Sequence, residues 1–342
     1  MIPILVAYHE FLDTISLLHA RTTTGRNLTP KTFEELDDAT FAEQFRFEKA
    51  DIPELVRRFE FPAIITLDNR SRVDSRLAFC FLLAKLAYPK RLCDLEEFFG
   101  ITRTIISRTL SYMVVRITTE NAHLLKIRKC ICDQYLEQWK VAMQNAGSPL
   151  PNCWAFIDGT CKQVCRPKYY QRLLYNGHKR YHCLKYQGLI VPSGILIDLA
   201  GPFIGIRHDV RILGESDLRS RLNHCMDRSN VIFGDPAYDL QDFFICPYEY
   251  TREQSPEAAF NQQMASVRVS VEWAFGRVIR LFTALAYGKQ WQVLKQPVGK
   301  YYQVAVILTN VHCCIYGNQI SDYFQDTMSV DDYFHYCNQC EA

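Results

Sequence analysis

Hydrophobic positions along this chain change period near its middle. Before about residue 148 they recur every three or four residues, as on helices; beyond Pro151 short β-branched runs take over, as in buried strands. A helix is expected from Asp51, where an acid stands as cap before Ile52 and Pro53 and Leu55, Val56 and Phe59 form one stripe. Asp74 to Tyr88 predicts a second helix, with Leu77, Phe81, Leu82, Ala84 and Leu86 inward and Pro89 ending it. Ala122 to Asn145 reads as further helix, and Gly147-Ser148-Pro149-Leu150-Pro151 punctuates its end. Strands are expected over Cys153 to Ile157, Tyr181 to Val191, Ile195 to Leu199 and Asn230 to Gly234, with Pro192-Ser193-Gly194 as a hairpin turn. Helices are expected over Asp209 to Leu222, Pro256 to Leu285 and Ala305 to Ile315, before an acidic, aromatic tail.

Between the first helices and the strands, Asp94 to Phe99 predicts a short helix, Gly100-Ile101-Thr102 a turn, and Arg103 to Val115 a second helix. This is helix-turn-helix spacing, with Leu95, Phe98, Ile101, Ile106 and Leu110 packing the pair. Arg103, Thr104, Ser107 and Arg108 fall early in the second helix, where a recognition helix places its DNA contacts; a plain helical hairpin gives the same pattern. The domain reading is 1–50 of unknown role, 51–148 helical with the helix-turn-helix-like unit at about 94–116, 152–316 an α/β sheet domain, and 317–342 a tail.

The chemistry in the second half rests on acids. Asp158 closes the run Trp154 to Ile157, Asp235 follows Val231 to Phe233, and Glu272 lies on the long helix. Carboxylates gathered from two strand ends and a helix repel one another unless cations fill the cluster. Taken singly, Asp158 and Asp235 read as turn caps and Glu272 as an ion-pair partner of Arg268, four residues earlier. Taken together, they have the composition of a divalent-metal site.

In order along the chain stand Ile157-Asp158-Gly159-Thr160, Gly201-Pro202 with His208-Asp209, Gly234-Asp235-Pro236-Ala237-Tyr238, and Arg268 through Glu272 to Phe275-Gly276-Arg277, with 36 residues between Asp235 and Glu272. From about Phe45 to Tyr316 the chain resembles the Harbinger-type transposases and their domesticated derivatives. The resemblance implies an RNase H-like DDE catalytic domain, a mixed sheet flanked by helices, preceded by a helical, helix-turn-helix-like region. It implies DNA cleavage with two Mg2+ or Mn2+ ions, Asp158 bridging them and Asp235 and Glu272 each holding one, and strand transfer as a further step. His208, Asp209 and Arg268 are accessory candidates. Asp209 is expected first as the cap of the following helix, and Arg268 as the partner that orients Glu272. Also implied are transposon terminal repeats as DNA substrate, a Myb-like DNA-binding partner protein and oligomers on paired ends. The competing reading is a domesticated DNA-binding or scaffold protein that no longer cuts.

Charge sharpens only one stretch. With 39 Lys and Arg against 37 Asp and Glu, the net charge of +2 carries no global nucleic-acid signature. Between Cys161 and Gln187, however, Lys162, Arg166, Lys168, Arg172, Lys179, Arg180 and Lys185 occur without an acid, interleaved with tyrosines. Cations neutralise phosphates and rings support unstacked bases, so the first six are DNA-contact candidates; the alternative is a solvated loop whose tyrosines pack inward. Fourteen cysteines in a chain this long are expected to be reduced, and His335 with Cys337 and Cys340 lacks the second matched pair that a zinc site needs. The apolar start, Met1 to Tyr8, lacks the basic flank of a signal peptide, and no apolar run has membrane-span length. The expected location is the nucleus, where the substrate is, with the cytoplasm as a second compartment. Phosphate-loop, dinucleotide and nucleophile-elbow motifs are absent from the sequence.

Overall fold

The computed structural model describes residues 28–238 and 242–335. Helices α1 (Phe41–Phe45) and α2 (Asp51–Arg58) lead to a hairpin, β1 (Ile64–Thr66) with β2 (Arg72–Asp74), then α3 (Ser75–Ala87), α4 (Leu92–Phe99), α5 (Arg103–Glu120) and α6 (Lys129–Asn145). The sheet domain follows: β3 (Cys153–Gln163), α7 (Gln171–Leu174), β4 (Tyr175–Asn176), β5 (Tyr181–Ile190), β6 (Leu196–Ile204), α8 (Asp209–Glu215), α9 (Leu218–Cys225), β7 (Val231–Phe233) and β8 (Phe244–Ile245). The long α10 (Pro256–Leu281), then α11 (Val298–Tyr316), α12 (Gln319–Phe324) and α13 (Val330–Phe334) complete it.

The sheet is mixed. β3 pairs antiparallel with β5 and β5 with β6, whereas β3 with β7 and β7 with β8 are parallel. Parallel neighbours need a long crossover, and here β5, β6, α8 and α9 supply it between β3 and β7. A mixed sheet in this order, flanked by helices, is consistent with an RNase H-like domain.

Two helices show why the helical region and the sheet domain share one core. α3 buries all but one of its residues, because Leu77 to Ala87 is almost uniformly apolar and no face is left for water. Its start is fixed by Asp74, whose carboxylate accepts from Arg76 N (2.8 Å), and its end is tied to the chain after α10 by Thr283 Oγ1 donating to Ala87 O (2.6 Å). On the sheet side, Trp139 of α6 stacks on Trp154 of β3, ring centroids 5.6 Å apart.

Several expectations are corrected. Ala122 to Asn145 is not one helix: a 3-10 turn over Ala122–Leu125 precedes α6. The break is held by tertiary partners, since Ile127 N donates to Asp198 Oδ2 (3.0 Å) and the buried Arg128 donates to Tyr333 O (2.7 Å). The expected helix Asp209 to Leu222 divides at Ser216, whose hydroxyl bonds back to Leu213 O (3.0 Å), a local alternative to helix that serine readily takes. The tail folds: Phe324, Met328 and Tyr333 are buried, and Tyr333 OH accepts from Asn310 Nδ2 (3.0 Å). The β1–β2 hairpin had no counterpart in the sequence pattern. The expectations for Met1 to Tyr8, Cys337 and Cys340 lie outside the described residues.

Candidate active site at the open ends of β3 and β7

The parallel ladder between β3 and β7 ends at Phe156 opposite Phe233. Asp158 and Asp235 both lie two residues past that pair, where the strands are no longer bonded to each other. A crevice outside the carboxyl ends of parallel strands is where α/β sheets place ligands. Asp158 stays fixed on its other side, paired with Gly188 of β5. Gly188 has no side chain because Phe275 of α10 lies over it; an added Cβ would stand 2.9 Å from that ring. The close approach brings α10 down onto β3.

α10 meets Asp158 through Arg268, its guanidinium 3.6 Å from Asp158 Oδ1. The same oxygen accepts from Gly159 N (2.9 Å), and Asp235 Oδ1 accepts from Ala237 N (3.0 Å). Burial pushes the Asp158 carboxyl up to about 6; Arg268 and the Gly159 N–H pull it back, and Asp235 and Asp209 push it further. Asp235 is raised as well, by burial first and by Asp209, against the Ala237 N–H, Arg268 and Lys185. The two carboxylates therefore share one field, and a single guanidinium moderates both.

Asp209 is the third acid beside them. It does not cap α8: His208 occupies the cap position, exposed and without a side-chain cap bond, and Asp209 begins the helix. Its carboxylate instead pairs with Lys185 Nζ at 2.7 Å, a buried lysine of β5 that also donates to Arg207 O (2.8 Å). Gly159 makes room for this carboxylate, since a Cβ there would lie 2.8 Å from Asp209 Oδ1.

Glu272 stands one turn beyond Arg268 and three residues before Phe275, so helical period puts it on the face of α10 turned toward β3. Its side chain is exposed, and among the described residues no ion pair joins it to Arg268. The expected Arg268–Glu272 pair is thus replaced by Arg268–Asp158. Among the described residues no three His, Cys, Asp or Glu side chains lie close enough to share one ion. The donor chemistry still fits magnesium or manganese. Both are hard cations, Mg2+ commonly uses one or two carboxylates with the remaining positions left to water and phosphate, and Asp158 and Asp235 are repelling carboxylates that share Arg268 as a cationic neighbour.

Two residues of this site, Lys185 of the basic stretch and Tyr238 of the Gly234–Tyr238 motif, carried no role at the site in the sequence reading. Lys185 is the one Lys, Arg, Asp or Glu in β5, and a charge within a strand was its signal. Tyr238 is buried, its hydroxyl accepts from Gln187 Nε2 (3.1 Å), and the three aspartates, after burial itself, raise its phenol. Gln187 Oε1 is buried without a hydrogen-bond partner.

The basic stretch divides. Lys162 is buried: its ammonium donates to Leu285 O and Gln163 O and lies 5.6 Å from the Trp291 ring centroid, and burial pushes its pKa down to about 7. It is out of reach of a phosphate, which corrects the expectation for this residue. Arg166, Lys168, Arg172, Lys179 and Arg180 are exposed. Tyr169, Tyr170 and Tyr175 are exposed beside them, whereas Tyr186 packs inward on Tyr302, ring centroids 4.4 Å apart. In the helix-turn-helix-like unit, Arg103 and Thr104 are exposed and Ser107 and Arg108 half-buried. Its turn is covered by the preceding chain: an added Cβ on Gly100 would overlap the carbonyl of Thr29, and Lys31 N donates to Phe99 O (3.0 Å).

Residues 157–310 match the family model of the DDE superfamily endonucleases. The matched segment opens one residue before Asp158 and takes in Asp209, Asp235, Arg268 and Glu272. The match supports a DDE transposase-like family and, with it, a nuclease or transposase-like function on DNA. No curated protein and no solved structure matches the chain. Among the described residues no helix is long and apolar enough to cross a membrane.

Proposed function

We propose that this chain is a divalent-metal-dependent DNA endonuclease of the Harbinger transposase type. The observation that carries the reading is the pair Asp158 and Asp235, both two residues past the last β3–β7 pairing and both inside the DDE endonuclease match. Asp158 and Asp235 would hold Mg2+ or Mn2+, and Glu272 of α10 would serve a second ion. Two such ions would supply Lewis-acid activation of the phosphate and charge stabilisation at the attacking and leaving oxygens. Arg268 balances the aspartates in the metal-free protein and turns to a substrate phosphate when they are otherwise neutralised. Lys185 keeps Asp209 paired, so that this third acid does not add its full charge to the site. The exposed cations and tyrosines of residues 166–180 track the DNA backbone and support unpaired bases. Arg103, Thr104, Ser107 and Arg108 add contacts to the terminal repeats. Strand transfer by a freed 3′-hydroxyl, a Myb-like partner, oligomers on paired ends and residence in the nucleus complete the proposal.

A second reading has its own support: Glu272 is exposed with no tie to the aspartates, and Arg268 stands where a cation is needed. On that reading the chain is a domesticated DNA-binding or scaffold protein. Incubating the full chain with Mn2+ and terminal-repeat DNA separates the two. Cleavage that disappears in both Asp158→Asn and Glu272→Gln establishes the nuclease; DNA binding with no cleavage by the folded wild type, partner supplied, establishes the scaffold.

A further inference from the structure

On the side of α10 away from Arg268 lies a cleft of about 330 Å3, lined by Arg46, Trp273, Arg277, Arg280, His312 and Gln319 among others. Arg277 is nine residues from Arg268, two and a half helical turns, and so points the opposite way. No Asp or Glu lines the cleft. Among the described residues the acceptors of its arginines are neutral. Arg46 donates to the carbonyls of Leu281 (2.9 Å), Glu43 (3.0 Å) and Ala87 (3.5 Å). Arg277 donates to Gly317 O (2.9 Å) and meets His312 Nδ1 at 3.2 Å, while its Nε is buried without a hydrogen-bond partner.

The two titratable groups beside Arg277, His312 and Cys313, supply no negative charge. Burial pushes the His312 imidazole down to about 4, with Arg277 and Arg46 adding to the effect, so it stays neutral. The Cys313 thiol beside Arg277 is pushed up by burial to about 11 and stays protonated. Arg280 is exposed and forms no ion pair among the described residues. Three guanidiniums thus share one concavity with no carboxylate in its lining, and the exposed Arg280 presents planar N–H donors of the kind that match phosphate oxygens, with the charges of Arg46 and Arg277 beside it.

We propose that Arg46, Arg277 and Arg280 form a phosphate-binding site on the face of α10 opposite the aspartates, separate from the candidate active site. The bound group is either a backbone phosphodiester of DNA or a free phosphate, two sources of one chemistry. The site needs no divalent ion, so its test stands apart from that of the nuclease.

The experiment uses the full chain in EDTA. In one arm a labelled DNA duplex is titrated across a salt series. In the other, inorganic phosphate is titrated at fixed ionic strength while tryptophan emission is followed. Trp273 is the reporter, since Trp139, Trp154 and Trp291 are fully buried, and Trp273→Phe checks the origin of the signal. Arg280→Gln changes an exposed side chain and leaves the core alone; Arg70→Gln, an exposed arginine on the β1–β2 turn, is the control for general charge. A fall of about one in the salt slope for Arg280→Gln but not Arg70→Gln assigns the site to DNA phosphate. A phosphate-dependent change in Trp273 emission that Arg280→Gln removes assigns it to free phosphate. If Arg280→Gln behaves as Arg70→Gln in the first arm and phosphate leaves Trp273 unchanged in the second, the proposal is wrong.

Discussion

Helix α10 carries arginines on two sides, and they meet opposite surroundings. Arg268 faces Asp158 and, through its charge, Asp235; Arg277 and Arg280 face a cleft with no acid. On the first side protein carboxylates outnumber the cation, so the site is short of positive charge and suits a metal ion. On the second the cations are in excess, so the site is short of negative charge and suits a phosphate. A charged residue's use is therefore read from the sum of charges around it, and one helix can serve two sites of opposite demand.

The largest expected effect breaks the carboxylate side. Asp158→Asn and Asp235→Asn lose Mn2+-dependent cleavage by more than the roughly 100-fold typical of changes outside the ligands themselves. Single-turnover assays on a labelled duplex measure this, and full activity in either variant would remove its aspartate from the mechanism. The same Asp158→Asn change stabilises the metal-free protein. With its folded pKa raised to about 6, Asp158 favours folding below the unfolded value and loses that contribution as pH rises through 6. The variant does not ionise there, so its advantage grows between about pH 4 and 6 and levels at up to about 3 kcal/mol. Urea melts in EDTA across that range check the sign.

A second test concerns the buried cation of the basic stretch. Lys162, depressed to about 7, favours folding above the unfolded lysine value, and the contribution is lost as pH falls toward 7. Wild type should gain a few kcal/mol relative to Lys162→Met between about pH 7 and 10. Parallel denaturation curves over that window would contradict the buried placement.

Smaller effects sharpen the comparison. Arg268→Gln removes the cation that competes for Asp158, so Mn2+ should bind about 2- to 10-fold more tightly by calorimetry, an energy change of about 1 kcal/mol. Weaker binding would make Arg268 a support of the site and not a placeholder. Smallest is Lys168→Gln, which should lower the slope of log K against log salt for DNA by about one, while Lys162→Met leaves it unchanged. Equal slopes in wild type and Lys168→Gln would take the exposed loop off the DNA path.

Much of the fold was legible because its signals are local. The strand running into Asp158, the strand ending before Asp235, the Gly194 turn and the period of α10 all follow from residues within a few positions of one another, whereas the continuation of β3 through Asp158 to Gln163, past the expected end at Ile157, follows from its pairing with β5. The break before α6 was not legible to the same degree, since Asp198, which holds Ile127 N, lies 71 residues away. At the site, the two aspartates were visible as acids following buried apolar runs. That Arg268 would choose Asp158 over Glu272, and that Lys185 would hold Asp209, depends on which strand lies beside which helix.

The sequence by itself determined the order of helices and strands, the placing of two aspartates just after buried apolar runs, and the acid-free basic stretch. These rest on periodicity and on the aversion of charge to an apolar run, both properties of neighbouring residues. Only the tertiary structure decided which charges are paid off by a neighbour and which face solvent. Lys162 and Lys168, six residues apart in one basic stretch, end respectively against Leu285 O and in water. The reason is that electrostatic energy depends on distance and desolvation, and the chain sets both only when remote segments pack.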